Sequence, residues 1–337
     1  MTSRELVYKT LAFRNTADRV PRQLWTLPWA ELYCKDELAA IQREYPDDIV
    51  TAPAVFAVPP ISQGSPYQPG AYIDEWGCRF ENIQTGLIGE VKAPLLAPRD
   101  DAWEDPSAVH FPEEWLTFDR ERVNAFCRGT DRFVLAGCLA RPFEQLQFIR
   151  GTERLYIDLA EKPASFLRFC ERMHDFYCRL LTAWAQTEVD ALFIMDDWGA
   201  QRSLLISPTA WSEIFLPMYR DYIQIAHAHG KKAFMHSDGY TLDILQPLID
   251  SGLDAINTQI FCIGLEKLKP YRGKLTFWGE IDRQHLLPEG SVDDIRRAVR
   301  EVYNTLWQDG GCIAQLEFGA AAKAENVRAA FEIWNQI

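Results

Sequence analysis

Residues 231–240 read KKAFMHSDGY, a short apolar stretch that opens directly onto His236, Ser237, Asp238 and Gly239. His236 and Asp238 can each bind a metal or carry a proton, and residues two apart at a strand end put their side chains on one side. A third ligand must come from elsewhere, and Glu317 in CIAQLE or Glu280 in LTFWGE supplies a carboxylate. One His with two carboxylates suits zinc, iron or manganese. His236, Asp238 and Glu317 are taken as the candidate metal set. A second constellation, DDWG at 196–199, follows the apolar run ALFIM. Asp196 and Asp197 could act as general acid and base or hold a substrate cation; alternatively one caps the next segment while the other meets solvent. With Glu280 they form the candidate catalytic set. Gln201 and Arg202 follow, and a guanidinium grips a carboxylate or phosphate through two parallel hydrogen bonds. Trp25, Trp198, Asn257 and Asp282 join them as candidate substrate contacts. His227 and His229, in AHAHGKK, fall in the last turn of a helix, where a cation is favoured by the dipole, and are read as structural.

Such residues need rigid elements behind them. Eight short runs rich in β-branched or aromatic residues read as strands: RQLWTL from Arg22, DIVTAP from Asp48, FVLAG from Phe133, ALFIMD from Ala191, KAFMHS from Lys232, DAINT from Asp254, LTFWGE from Leu275 and CIAQLE from Cys312. Amphipathic segments at 164–189, 208–229, 241–251, 292–307 and 324–334 separate the later ones. Ser207 before Pro208, Gly230 after His229 and Ser291 before an acidic turn mark helix boundaries. Strand and helix alternating to a count of eight predicts an α/β (β/α)₈ TIM barrel, whose strand ends share one rim where ligands bind. An open doubly wound sheet is the alternative, but no GxGxxG follows an early strand. Residues 55–115 break the alternation. They are rich in Pro and Gly and contain YIDEWGCRFENIQTGLIGEVKAP, which reads as an inserted β-hairpin or small meander serving as a lid or substrate wall. No repeat or low-complexity linker interrupts the chain, so residues 1–337 are expected to form one domain.

The 337 residues are 47% apolar, enough for a packed core, and carry a formal net charge of −13. That charge disfavours non-specific binding to nucleic acid or an anionic membrane. The opening MTSRELVYKTLAFRN lacks a signal-peptide core, and no stretch approaches the roughly 20 apolar residues of a spanning helix, so a cytoplasmic location is expected. The eight cysteines include no CxxC and are expected as reduced, mostly buried thiols. Barrels of this size often pair through their outer helices, which makes a homodimer one expected assembly.

The blocks RVPRQLW, FIMDDWGAQRSLLISP, AHAHGKKAFMHSDG, LTFWGEIDRQHLLPEG and GGCIAQLEFGAAAKAENV, in this order, resemble the uroporphyrinogen decarboxylase superfamily over nearly the whole chain. The resemblance implies a single (β/α)₈ barrel. True decarboxylases carry an Arg-Gln-Ala-Gly-Arg run after the first strand and a His near the last; here Arg22 and Gln23 precede Leu24 and Trp25, and Phe318 to Ala322 read FGAAA. The other branch comprises methylcorrinoid-dependent methyltransferases, which resemble one another in binding zinc through His-x-Cys-Gly after the fifth strand and a Cys after the eighth. Here His236 carries over directly, whereas Asp238 and Glu317 carry over only as positions. Replacing thiolates by carboxylates hardens the site and favours oxygen substrates. This branch implies a metal-dependent methyltransferase, with zinc as the implied metal, that exchanges a methyl group between a small molecule and the corrinoid (cobalamin) of a partner protein. The alternatives are a lyase, which needs cations such as Arg22, Arg141 and Arg202 inside the barrel, and a non-catalytic corrinoid or tetrapyrrole carrier.

Overall fold

The computed structural model describes residues 1–16, 19–96 and 98–337. Eleven strands are described: β1 (Arg22–Thr26), β2 (Ile49–Thr51), β3 (Gly70–Ile73), β4 (Arg79–Asn82), β5 (Glu90–Ala93), β6 (Phe133–Ala140), β7 (Ala191–Met195), β8 (Lys232–Ser237), β9 (Ala255–Thr258), β10 (Thr276–Trp278) and β11 (Cys312–Phe318). Eight of them pair in parallel in the order β1-β11-β10-β9-β8-β7-β6-β2. The seam between β2 and β1 is spanned by the Asp48 amide, which donates to the Arg22 carbonyl at 2.9 Å. The result is the expected (β/α)₈ barrel, nearly closed. All eight strands read from the sequence are present.

The helices lie outside the barrel, and the expected signals bound them. Ser207 accepts the Ala210 amide at the start of the helix Pro208–Ala228, and Ser291 forms a reciprocal capping box with Asp294 ahead of the helix Val292–Leu306. One apolar layer joins these helices to the outer faces of the strands, and a second fills the barrel interior with Ile49, Phe133, Leu135, Phe234, Trp278 and Ile313. The helix Ser3–Leu11 plugs the barrel floor, contributing Val7 and Leu11 to that inner layer. No described helix is long and apolar enough to cross a membrane.

The insertion forms an antiparallel meander, β3-β4-β5. It is tied down rather than free. Asp74 accepts the amides of Trp76 and Cys78, and the buried Trp76 ring packs edge-on to Phe176 of the long helix Ala164–Ala185. The eight cysteines are all free thiols, half of them buried.

Candidate functional site

Side-chain alternation along the strands decides which residues enter the barrel. On β8, Phe234 belongs to the inner layer, so His236 points inward and Asp238, two further on, points the same way. On β7, Phe193 packs against the inner layer, which puts Met195 and then Asp197 inside and turns Asp196 outward. Asn257 on β9, Trp278 on β10, Gln315 and Glu317 on β11, and Trp25 on β1 follow the same rule.

The loops after β7 and β8 are drawn together by their glycines. A Cβ on Gly239 would lie 2.1 Å from the Gly199 carbonyl oxygen, and one on Gly199 would lie 2.2 Å from the Tyr240 nitrogen, so neither position admits a side chain. Gly239 also sits at φ +75°, a conformation that glycine adopts without strain. Across this contact the Gly199 amide donates to the Asp238 carbonyl at 3.0 Å and the Tyr240 amide to the Ala200 carbonyl at 2.8 Å. The close approach brings Asp197 beside His236 and Asp238.

In the resulting cluster, one ligating atom from each of Asp197, His236 and Asp238 lies within 4.8 Å of the other two. His236 Nε2 is 3.6 Å from Asp197 Oδ1 and 3.6 Å from Asp238 Oδ1. The tautomer is fixed from behind. Asn257 donates its amide to the Trp278 carbonyl and to Gln315 Oε1, so its own oxygen must face His236 and accept from Nδ1–H, at 2.6 Å. The Nε2 lone pair therefore faces two carboxylates. Asp238 Oδ1 is buried and has no hydrogen-bond partner. A lone pair and two anionic oxygens aimed at one point repel one another unless a proton on Nε2 or a bound cation sits among them, and this donor set suits zinc or another divalent first-row metal. The Trp25 ring lies 5.4 Å from the imidazole and meets Trp278 edge-on at 5.0 Å, closing the barrel beneath the cluster.

Arg283 organises the other acids. Its guanidinium pairs with Asp238, with Glu280 at 3.4 Å and with Glu317 at 3.3 Å. Glu280 is 2% exposed, and burial pushes its carboxyl up to about 8 despite Arg283. Its Oε2 has no partner. Burial also raises the Glu317 carboxyl, with Arg283 opposing.

Two cavities lie near the cluster, one bordered by Arg283 and the other by Met195 and Glu144. One, of about 220 Å³, is polar and bounded by Gln201, Gln259, Glu280, Asp282, Arg283 and His285 among others. The second, of about 300 Å³, lies under the meander beside Met195 and Cys138, with Arg141 and Glu144 in its wall.

The structure divides the sequence-derived candidates. His236 and Asp238 converge, but the third carboxylate in the cluster is Asp197, while Glu317 pairs with Arg283. Asp196 turns out of the barrel. Its buried carboxylate accepts the amides of Phe143 and Glu144, at 3.1 and 2.8 Å, and the Tyr219 hydroxyl at 2.5 Å, satisfying the start of the helix Pro142–Arg150. Trp198 is also core, stacked 4.2 Å from Phe143 with its indole N–H donating to Tyr219. Asn257 orients His236 from the barrel interior. Gln201 and Asp282 line the polar cavity, whereas Arg202 is exposed. Arg22 bonds the Pro46 carbonyl and Asn335 at the opposite end of β1, so of the three arginines named for a lyase only Arg141 reaches a cavity. Sequence reasoning missed Arg283 and Glu144. Arg283 stood three residues after Glu280, and a cation that close to a buried acid was the available signal.

Residues 77–337 match the family model described as uroporphyrinogen decarboxylase (URO-D). No curated protein sequence matches the chain. Among solved structures, a methyltransferase from Methanosarcina mazei superposes with a TM-score of 0.68 at 14% identity, covering 100% of this chain and 99% of its own. A glycosylated endo-β-1,4-xylanase from Gloeophyllum trabeum reaches a TM-score of 0.46 at 10% identity, covering 97% of this chain and 98% of its own. At 14% identity the likeness to the methyltransferase is one of fold.

Proposed function

The chain belongs to the uroporphyrinogen decarboxylase family, and from that membership and the Asp197–His236–Asp238 cluster we propose that it is a metal-dependent methyltransferase. It moves a methyl group between a small-molecule substrate and the corrinoid carried by a partner protein. The observation that carries the reading is the His236 Nε2 lone pair facing two carboxylate oxygens, one of them buried without a partner. The fold shared with the Methanosarcina mazei methyltransferase supports it.

Asp197, His236 and Asp238 would hold the metal, zinc being the first candidate, which when bound supplies Lewis acidity toward a substrate heteroatom. Asn257 keeps His236 in the ligating tautomer. Glu280, protonated at neutral pH, holds a proton at the wall of the polar cavity. When substrate gives up its methyl group, the carbon–heteroatom bond breaks, the electron pair stays on the heteroatom and Glu280 returns a proton to it. In the opposite direction the heteroatom takes the methyl group with its lone pair and loses its proton to the Glu280 carboxylate. Arg283 pairs with Asp238 and Glu317 beside Glu280.

The test is metal content of protein purified without chelator, followed by the absorbance change of methylcob(III)alamin on demethylation. We expect one equivalent of metal, lost in His236→Ala and Asp197→Ala and retained in Glu317→Ala, with corrinoid demethylation following the metal. Folded protein without metal, or metal indifferent to His236→Ala, overturns the proposal.

A further inference from the structure

The cavity under the meander has walls from separate elements: Tyr72 on β3, Phe80 on β4, Trp115 from the turn Glu113–Leu116, Phe148 on the helix Pro142–Arg150 and Tyr177 on the long helix Ala164–Ala185. Tyr72 and Phe80 lie 5.7 Å apart, and Phe80 meets Phe148 edge-on at 5.0 Å, so the walls are ring faces and edges rather than flexible chains. Rigid rings on several sides favour a flat, apolar body over a branched polar one. At about 300 Å³ the space accepts one substituted ring and is too small for a tetrapyrrole.

Beside three acids, Asp74, Glu75 and Glu144, the lining carries the donors Arg141 and Tyr177. Arg141, its guanidinium 5.5 Å over the Phe148 ring, makes one side-chain hydrogen bond, to Glu144 at 3.3 Å, which leaves an edge of the planar donor fork for a ligand. The Tyr177 hydroxyl is buried beside the Arg141 backbone amide and has no side-chain partner. Both groups offer protons, so the ligand must bring acceptors. Of the acids in the wall, Asp74 accepts the amides of Trp76 and Cys78, Glu75 accepts the Tyr72 hydroxyl at 3.5 Å, and Glu144 pairs with Arg141. We infer that this cavity holds a single-ring aromatic acid, its ring between Tyr72, Phe80 and Phe148 and its carboxylate on Arg141 and Tyr177. This deepens the methyltransferase reading and rests on it for the role of the ligand: the bound ring would present a substituent toward Asp197, which follows Met195 of the cavity wall by two residues.

The binding itself needs neither metal nor corrinoid, so it is measured on chelator-treated protein by tryptophan fluorescence and calorimetry. The probes are benzoate, its neutral isostere benzamide and the cation benzyltrimethylammonium. We expect benzoate to bind at least about ten times more tightly than benzamide, a gap corresponding to about 1.4 kcal/mol. Arg141→Met should abolish that preference, Arg141→Lys should restore part of it and Tyr177→Phe should weaken benzoate several-fold, all with unchanged circular dichroism. Tighter binding of the cation, no binding of any probe, or indifference to Arg141→Met overturns the inference. Benzoate binding in an enzyme that holds no metal and demethylates no corrinoid would sink the methyltransferase reading alone. Methyl transfer without benzoate binding would sink this one alone.

Discussion

At the residue scale, the site is a set of compensations for buried charge. Asn257 matters through its own two donors: because they are spent on Trp278 and Gln315, its oxygen can only accept from His236. Asn257→Ala should therefore lower metal affinity about 10- to 100-fold, read by competition with a chelator, while the fold survives. Glu280 makes a separate prediction. Its folded pKa, about 8, lies above the ordinary value of 4.5, so the native state binds more protons than the unfolded chain between those limits. Stability from this group is complete below pH 4.5 and is lost as pH rises through 8. Urea midpoints in metal-free protein should fall over that window, and Glu280→Gln should flatten the fall; an unchanged slope would remove Glu280 as its source.

At the element scale, two loops that meet glycine to glycine create the Asp197–His236–Asp238 cluster. The strands alone place His236 and Asp238 together, since inward residues alternate along β8. Asp197 arrives only because nothing larger than a hydrogen atom separates Gly199 from Gly239. Gly239→Ala combines an unfavourable φ with a backbone collision, and it should cost most of the bound metal while leaving the barrel's circular dichroism intact. Elemental analysis checks the first half and melting the second. The outward turn of Asp196 belongs to this scale as well. Its carboxylate completes the first turn of the neighbouring helix, which makes it part of the scaffold holding Arg141 and Glu144.

At the scale of the whole molecule, the cluster joins the ends of the adjacent strands β7 and β8, and a cation that binds there binds the folded state alone, so it should stabilise the entire fold. At a free metal concentration 100 times Kd the gain is about 2.7 kcal/mol, a rise of a few degrees in Tm for a chain of this length. Zinc added to metal-free protein should give that rise and fail to give it in His236→Ala, as differential scanning calorimetry would report. The sequence by itself determined the barrel, because parallel strands buried on both faces are continuous apolar runs and the helices between them carry legible caps. It determined the pair His236 and Asp238, because their spacing carries its own geometry. It could not determine which of Asp196 and Asp197 faces inward. In ALFIM every residue is apolar, both faces of the strand being buried, so the alternation that fixes the phase left no trace in the letters. Nor could it separate Asp197 from Glu317 as the third carboxylate: that depended on a glycine contact between loops 40 residues apart, which exists only once the barrel has closed.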